Sequence, residues 1–173
     1  MMTVEKINPK IKEKIVLALD VDNLETAKNL ILELKDYVGV FKVGLQFYTA
    51  NGSEVFEFMK EQGAKFFFDV KLMDIPNTVA KASENIVRSG ASFFNIHALG
   101  GGEMMKASAE AAKKAAAETG SELPTVLAVT ILSSINDDIL NNQLKIPHSA
   151  ESYVPELAKL AKDNGIDGVV ASV

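Results

Sequence analysis

Six short apolar runs rich in β-branched and aromatic residues recur along the chain: Ile15–Val21, Val38–Gly44, Lys65–Lys71, Ser92–Ala98, Thr125–Leu132 and Gly168–Val173. Each has the length and make-up of a buried strand. The stretches between them carry a helical period instead. In Leu24–Tyr37 the apolar residues Leu24, Ala27, Leu30, Ile31 and Leu34 fall on one face. The same spacing predicts helices near Ser53–Gln62, Thr78–Ser89, Glu103–Thr119 and Tyr153–Asp163. Gly63, Gly90, Gly120 and Gly165 each follow a helical pattern and lead into the next strand, as glycines just past a helix end do. The polar stretch Asn136–Ser152, with Pro147 inside it, predicts a loop with one helical turn.

Strands alternating with helices imply βαβ units and parallel strands. Onsets at Ile15, Val38, Lys65, Ser92, Thr125 and Gly168 give six steps of about thirty residues, the size of one such unit. Two α/β architectures fit. One is an open parallel sheet. The other is a (β/α)8 TIM barrel, about 250 residues when whole, of which this chain supplies about the first six strands. On the barrel reading, residues 1–173 are a single domain, incomplete at the C-terminus.

Charged residues at the strand ends favour the barrel. Alternation puts Val16, Ala18 and Asp20 on one face of the first strand, and Val40, Lys42 and Gly44 on one face of the second. It groups Phe67, Asp69 and Lys71 on the third and Phe93, Asn95 and His97 on the fourth, while Ala128 and Thr130 share a face of the fifth. Both faces of a parallel strand are usually buried, and an unpaired buried charge is costly, so these groups should pair with one another. Asp69 and Lys71 lie about 6.5–7 Å apart along a regular strand and point the same way. Asp74 follows one step beyond, and Lys42 comes from the neighbouring strand. The expected product is a Lys/Asp/Lys/Asp cluster at the end where barrel enzymes carry their chemistry. Carboxylates beside a lysine favour its ammonium form, which suits it to donate a proton to a developing carbanion. A carboxylate set against a substrate carboxylate favours loss of CO2. The pattern leans towards cofactor-free proton or decarboxylation chemistry.

Composition narrows the field further. The chain is 47% hydrophobic and 24% charged, which excludes disorder. It has no cysteine, hence no disulfide scaffold, thiolate zinc site or cysteine nucleophile, as fits a reducing compartment. A net charge of −5 without a Lys/Arg run argues against nucleic acid or a membrane patch as partner. Met1–Lys14 lacks the apolar core of a signal peptide, and no run is long enough to span a membrane. The expectation is a soluble, cytoplasmic protein. Gly100-Gly101-Gly102 reads as a tight turn before a helix, His97 as a hydrogen-bonded structural histidine, and His148 as solvated. Met104-Met105 reads as packing, Phe66-Phe67-Phe68 as strand core, and Ala107–Ala117 as a helix that packs closely.

The run Phe68-Asp69-Val70-Lys71-Leu72-Met73-Asp74-Ile75-Pro76-Asn77-Thr78 closely resembles the long D-x-K-x-x-D-I-P-N-T signature of the orotidine 5′-phosphate decarboxylase family. Leu19-Asp20, Phe41-Lys42-Val43-Gly44, Asn95-Ile96-His97-Ala98 and Val129–Ser134 match in order, so the similarity extends from Ile15 to Val173. The resemblance implies a barrel enzyme that converts orotidine 5′-phosphate to UMP and CO2, the last step of de novo pyrimidine synthesis, with no metal or cofactor. It implies Lys71 as the proton donor to C6 and Asp69 as the carboxylate against the departing group. By the resemblance Lys42 and Asp74 would complete the charge network and contact the ribose hydroxyls. Asp20 matches the ribose-binding aspartate, and Ser133 the hydroxyl that meets the pyrimidine. By the same resemblance Asp74, Ile75 and Thr78 are expected to reach a neighbouring subunit's site, which implies a homodimer.

The family's seventh and eighth strands and its phosphate-gripping Gly-Arg pair have no counterpart among these residues. The expectation is that the 173-residue chain alone is inactive or nearly so, because remote phosphate binding orients the reacting centre. Two other readings compete. Mg²⁺-dependent keto-gulonate-phosphate decarboxylases and hexulose-phosphate synthases share D-x-K-x-x-D but carry an acid where this chain has Lys42. A non-catalytic gene fragment, acting through dimerisation at most, is the third reading.

Overall fold

The structure, a computed structural model, describes Ile7–Ser172; the first six residues of the Met1–Lys14 segment and Val173 of the sixth predicted strand lie outside the described residues. The contacts fall into two compact units.

The first unit runs to Val70 and includes Ser89–Ser92. Its elements are α1 (Pro9–Lys12), β1 (Val16–Ala18), α2 (Leu24–Leu34), β2 (Val40–Gly44), α3 (Leu45–Asn51), α4 (Glu54–Glu61) and the greater part of β3 (Lys65–Leu72). β1 pairs with β2 and β2 with β3, both in parallel, with Ala18 opposite Lys42, Lys42 opposite Phe67 and Gly44 opposite Asp69. The alternation expected from sequence holds here. Phe41, Val43, Phe66 and Phe68 are buried, while Lys42 and Asp69 lie on the opposite, partly open face. Burying four such side chains is worth about 1.5–3 kcal/mol each. Phe56 of α4 stacks on Phe66 with ring centres 4.5 Å apart and meets Phe68 edge-on at 5.3 Å. Tyr48 of α3 adds a second edge contact to Phe68 at 4.8 Å.

α2 begins where predicted, because the Asn23 side chain accepts a hydrogen bond from Thr26 N at 2.8 Å. Neither α1 nor α3 is expected from the sequence. α1 is four residues long, opened by the Asn8 side chain and by Pro9 at its first position. α3 follows β2 without a break and buries only Phe47, too little to leave a periodic stripe.

The second unit comprises Lys71–Arg88 and the residues from Phe93 onward. It holds α5 (Pro76–Arg88), β4 (Phe93–His97), a 3-10 turn (Ala98–Gly100), α6 (Gly102–Thr119), β5 (Thr125–Val129), a π turn (Ile139–Gln143), α7 (Ala150–Asp163) and β6 (Gly168–Val170). β4, β5 and β6 pair in that order, all parallel, with Asn95 opposite Leu127, Ile96 opposite Ala128 and His97 opposite Val129. This register puts Ala128 and Thr130 on the fully buried side with Phe94 and Ile96, away from Asn95 and His97. The Thr130 hydroxyl is used there to donate to the Val170 carbonyl at 3.0 Å.

α6 buries a face of small residues, Ala109, Ala112, Ala115 and Ala116, as its composition predicts. It also packs against α5, where the Ser83 and Ser108 hydroxyls meet at 2.7 Å and Ser83 donates to Val79 O. All four glycines predicted to end helices have positive φ, and Gly120 closes α6 in the left-handed region that an L side chain rarely adopts. The predicted loop before α7 contains the π turn, and α7 starts three residues earlier than its apolar period suggests. Ser149 caps it by accepting from Ser152 N at 3.2 Å, and Pro155 sits inside the helix. Among the described residues no helix is long and apolar enough to cross a membrane.

Gly39, where the chain enters β2, gives a test of the first unit's packing. A Cβ there would lie 2.6 Å from Lys12 O and 2.8 Å from Glu13 Cα, both main-chain atoms that cannot swing aside. Gly39→Ala is expected to cost about 1–3 kcal/mol, read as a lower urea midpoint at an unchanged slope.

Candidate active site

The site residues predicted from sequence fall into two sets, one in each unit. In the first, parallel register brings Lys42 and Asp69 onto one face, and Asp20 follows β1 onto the same side. The Lys42 ammonium lies 3.3 Å from Asp20 Oδ1 and 3.4 Å from Asp69 Oδ2. The two carboxylates differ in surroundings: the Asp69 side chain is 13% exposed and that of Asp20 54%. The better-shielded Asp69 contact is the stronger, since solvent screens an exposed pair to at most about 1 kcal/mol. Room for the ammonium comes from Gly44, where a Cβ would lie 3.0 Å from Lys42 Nζ and 3.6 Å from Asp20 Oδ1. The loop bearing Asp20 is tied down beyond it, because Gln46 Nε2 donates to Asp22 Oδ1 at 3.2 Å.

In the second set, Lys71 and Ser133 line one cleft of about 250 Å³, walled by Val129, Ile131, Leu132 and Val170. Lys71 departs from strand geometry. Its φ is +52°, and Lys145 is the only other non-glycine residue with positive φ among the described residues. The left-handed region costs a lysine about 1–2 kcal/mol. Simple alternation from Phe67 and Asp69 therefore does not define how the Lys71 side chain leaves the main chain. The Lys71 N–H is received by Asn95 Oδ1 at 2.7 Å, and Asn95 is 1% exposed. Sequence reasoning placed Asn95 on a strand face but gave it no part in the site. Its one signal was a polar amide in the middle of the apolar run Phe93–Ala98.

His97, two residues on, is the structural histidine expected. Its Nδ1 accepts from Leu99 N at 3.4 Å and caps the 3-10 turn, which leaves the ring proton on Nε2. Burial, and secondarily the nearby Lys71 charge, hold its pKa below the ordinary 6.5, so the ring is neutral at pH 7. Asp74 follows β3 and opens α5, where its carboxylate accepts from Ile75 N at 2.6 Å. Ile75 O accepts from Thr78 N at 3.0 Å, and Pro76 at the first helical position has no N–H to satisfy. Asp74, Ile75 and Thr78 are all exposed, Ile75 at 66% despite its apolar side chain.

These features define a parallel β/α protein with charged groups at its strand ends. Residues 13–173 match the model of the orotidine 5′-phosphate decarboxylase / HUMPS family. The chain is 42% identical over 168 residues to the orotidine 5′-phosphate decarboxylase of Moorella thermoacetica, covering 97% of this chain and 67% of that protein. It is 46% identical over 161 residues to that of Trichlorobacter lovleyi, covering 93% and 66%. The crystal structure of orotidine 5′-phosphate decarboxylase from Lactobacillus acidophilus superposes with a TM-score of 0.84 at 37% identity, over 91% of this chain and 70% of that one. The chain thus spans about two thirds of the length of the relatives it matches. It belongs to the orotidine 5′-phosphate decarboxylase / HUMPS family. Its fold is the (β/α)8 TIM barrel, of which the described residues carry six strands.

The neutral, buried His97 links stability to pH. As pH falls below about 6.5 the unfolded chain takes up a proton on this residue before the folded chain does, so folding stability drops. Urea midpoints measured from about pH 7.5 down to about pH 5.5 should fall, and should fall less for His97→Gln.

Proposed function

We propose that the protein carrying this chain decarboxylates orotidine 5′-phosphate to UMP and CO2, without metal or cofactor, as the last step of pyrimidine nucleotide synthesis. The observation that carries this reading is the Lys42 ammonium held between Asp20 and Asp69 on one strand face. The family motif adds Lys71 and Asp74 along the chain, and on this reading the four groups alternate in charge. In the reaction, the bond from C6 to the carboxylate breaks and its electron pair stays on C6 as CO2 departs. Asp69, set against the substrate carboxylate, raises the energy of the bound state relative to the transition state. The Lys71 ammonium stabilises the developing carbanion and delivers its proton to C6, then recovers one from solvent. Lys42, Asp74 and Asp20 hold the ribose hydroxyls, and Ser133, on the Lys71 cleft, meets the pyrimidine.

On this reading residues 1–173 belong to one barrel domain, which acts in the cytoplasm as a homodimer and needs neither nucleic acid nor membrane. Asp74, Ile75 and Thr78 enter the neighbouring subunit's site. Their exposure at the start of α5, and the open apolar surface of Ile75, support that assignment. The Mg²⁺-dependent members of the family offer a second reading, which Lys42 disfavours. A resident ammonium 3.3–3.4 Å from both carboxylates offsets one of their two charges and would repel a divalent ion there.

The test is turnover of orotidine 5′-phosphate by the intact protein, followed as loss of the substrate's absorbance. Lys71→Ala should lower kcat by at least about 10²-fold, and a chelator should change nothing. Turnover that depends on Mg²⁺, or that survives Lys71→Ala, would sink this assignment.

A further inference from the structure

We propose that Asn95 is a positioning residue for Lys71: its side-chain carbonyl holds the lysine main chain in the left-handed conformation from which the side chain enters the cleft beside Ser133. The inference rests on the reading of Lys71 as proton donor, and it concerns how the chain presents that group.

Three observations converge. Lys71 has φ +52°, a conformation that a side chain with a Cβ avoids unless its surroundings compel it. Its N–H points to Asn95 Oδ1 at 2.7 Å, at the short end of the range for such bonds. Asn95 is 1% exposed in the middle of β4, flanked by Phe94 and Ile96, which are fully buried. A buried amide is retained only when its polar atoms are satisfied, and no described buried side-chain nitrogen or oxygen lacks a partner. A donor on the lysine main chain fixes which amide atom faces it, namely the oxygen. Asn95 thus acts on the Lys71 main chain, and Lys71 lines the cleft together with Ser133.

Asn95→Ala removes the acceptor, and Asn95→Asp keeps an oxygen in its place. Amide hydrogen exchange on the intact protein reads the effect directly. In Asn95→Ala the Lys71 amide should exchange at least about fivefold faster, with Phe94 and Ile96 unchanged, and Asn95→Asp should restore its protection. In the same Ala variant kcat should fall by about 10²-fold while KM stays within about threefold, as expected for a displaced catalytic group. Unchanged Lys71 exchange, equal acceleration throughout β4, or full kcat after lost protection would each overturn the proposal. Should Asn95→Ala not fold, Asn95→Asp carries the test alone, and lost Lys71 protection in that variant overturns it. If Lys71→Ala retains decarboxylation the proton-donor reading fails instead, and the exchange result is unaffected by it.

Discussion

A single ammonium, that of Lys42, is held between a carboxylate that follows β1 and one on β3. Much of the first unit serves this arrangement. β2 can present Lys42 to both sides because its two neighbours run parallel to it in a register that places Ala18 and Phe67 beside it. The opposite faces of the same strands bury Phe41, Val43, Phe66 and Phe68, so a slip of one residue would expose these rings and bury the charges. Hydrophobic burial fixes the register, and the register fixes the ion pairs. The pairs themselves need contribute little to stability, and truncating one partner would leave the others badly matched.

Most of the fold was legible because parallel β/α units write two periods into the chain. The strands and principal helices were found by those periods, and the glycines after the helices by their position. What escaped detection had no period to show. α1 is a single turn, and α3 buries one side chain. The strand ends were read too long at Ile15–Val21 and Thr125–Leu132, because apolar residues continue past the last ladder bond.

The charged residues of the candidate site draw notice in the sequence because Lys42, Asp69 and Lys71 lie where an apolar strand should have no charge, with Asp74 just beyond. Of these the structure joins Lys42 to Asp69, and adds Asp20. Their local geometry was not legible there. Nothing in Asp69-Val70-Lys71-Leu72 announces a left-handed lysine, because lysine is not a residue that favours that region. The device that supports it, Asn95, comes from a different strand and is visible only once β3 and β4 are folded. Thr130 illustrates the reverse. It looked like one more polar strand-end group, and register turned it to the buried side as a structural hydroxyl.

The buried hydroxyl pair between α5 and α6 has a mechanical consequence. Ser83 donates to Val79 O within α5 and meets Ser108 at 2.7 Å where no water reaches, so α5 cannot roll about its axis or slide along α6 without stranding the Ser108 hydroxyl, at about 1–3 kcal/mol. Thr78 lies five residues upstream on the same rigid rod, about 7–8 Å along its axis. The pair therefore acts as a keyed joint: the heading of Asp74, Ile75 and Thr78 at the free end of α5 is indexed from inside the helix packing, by two serines that touch no charged group of the site.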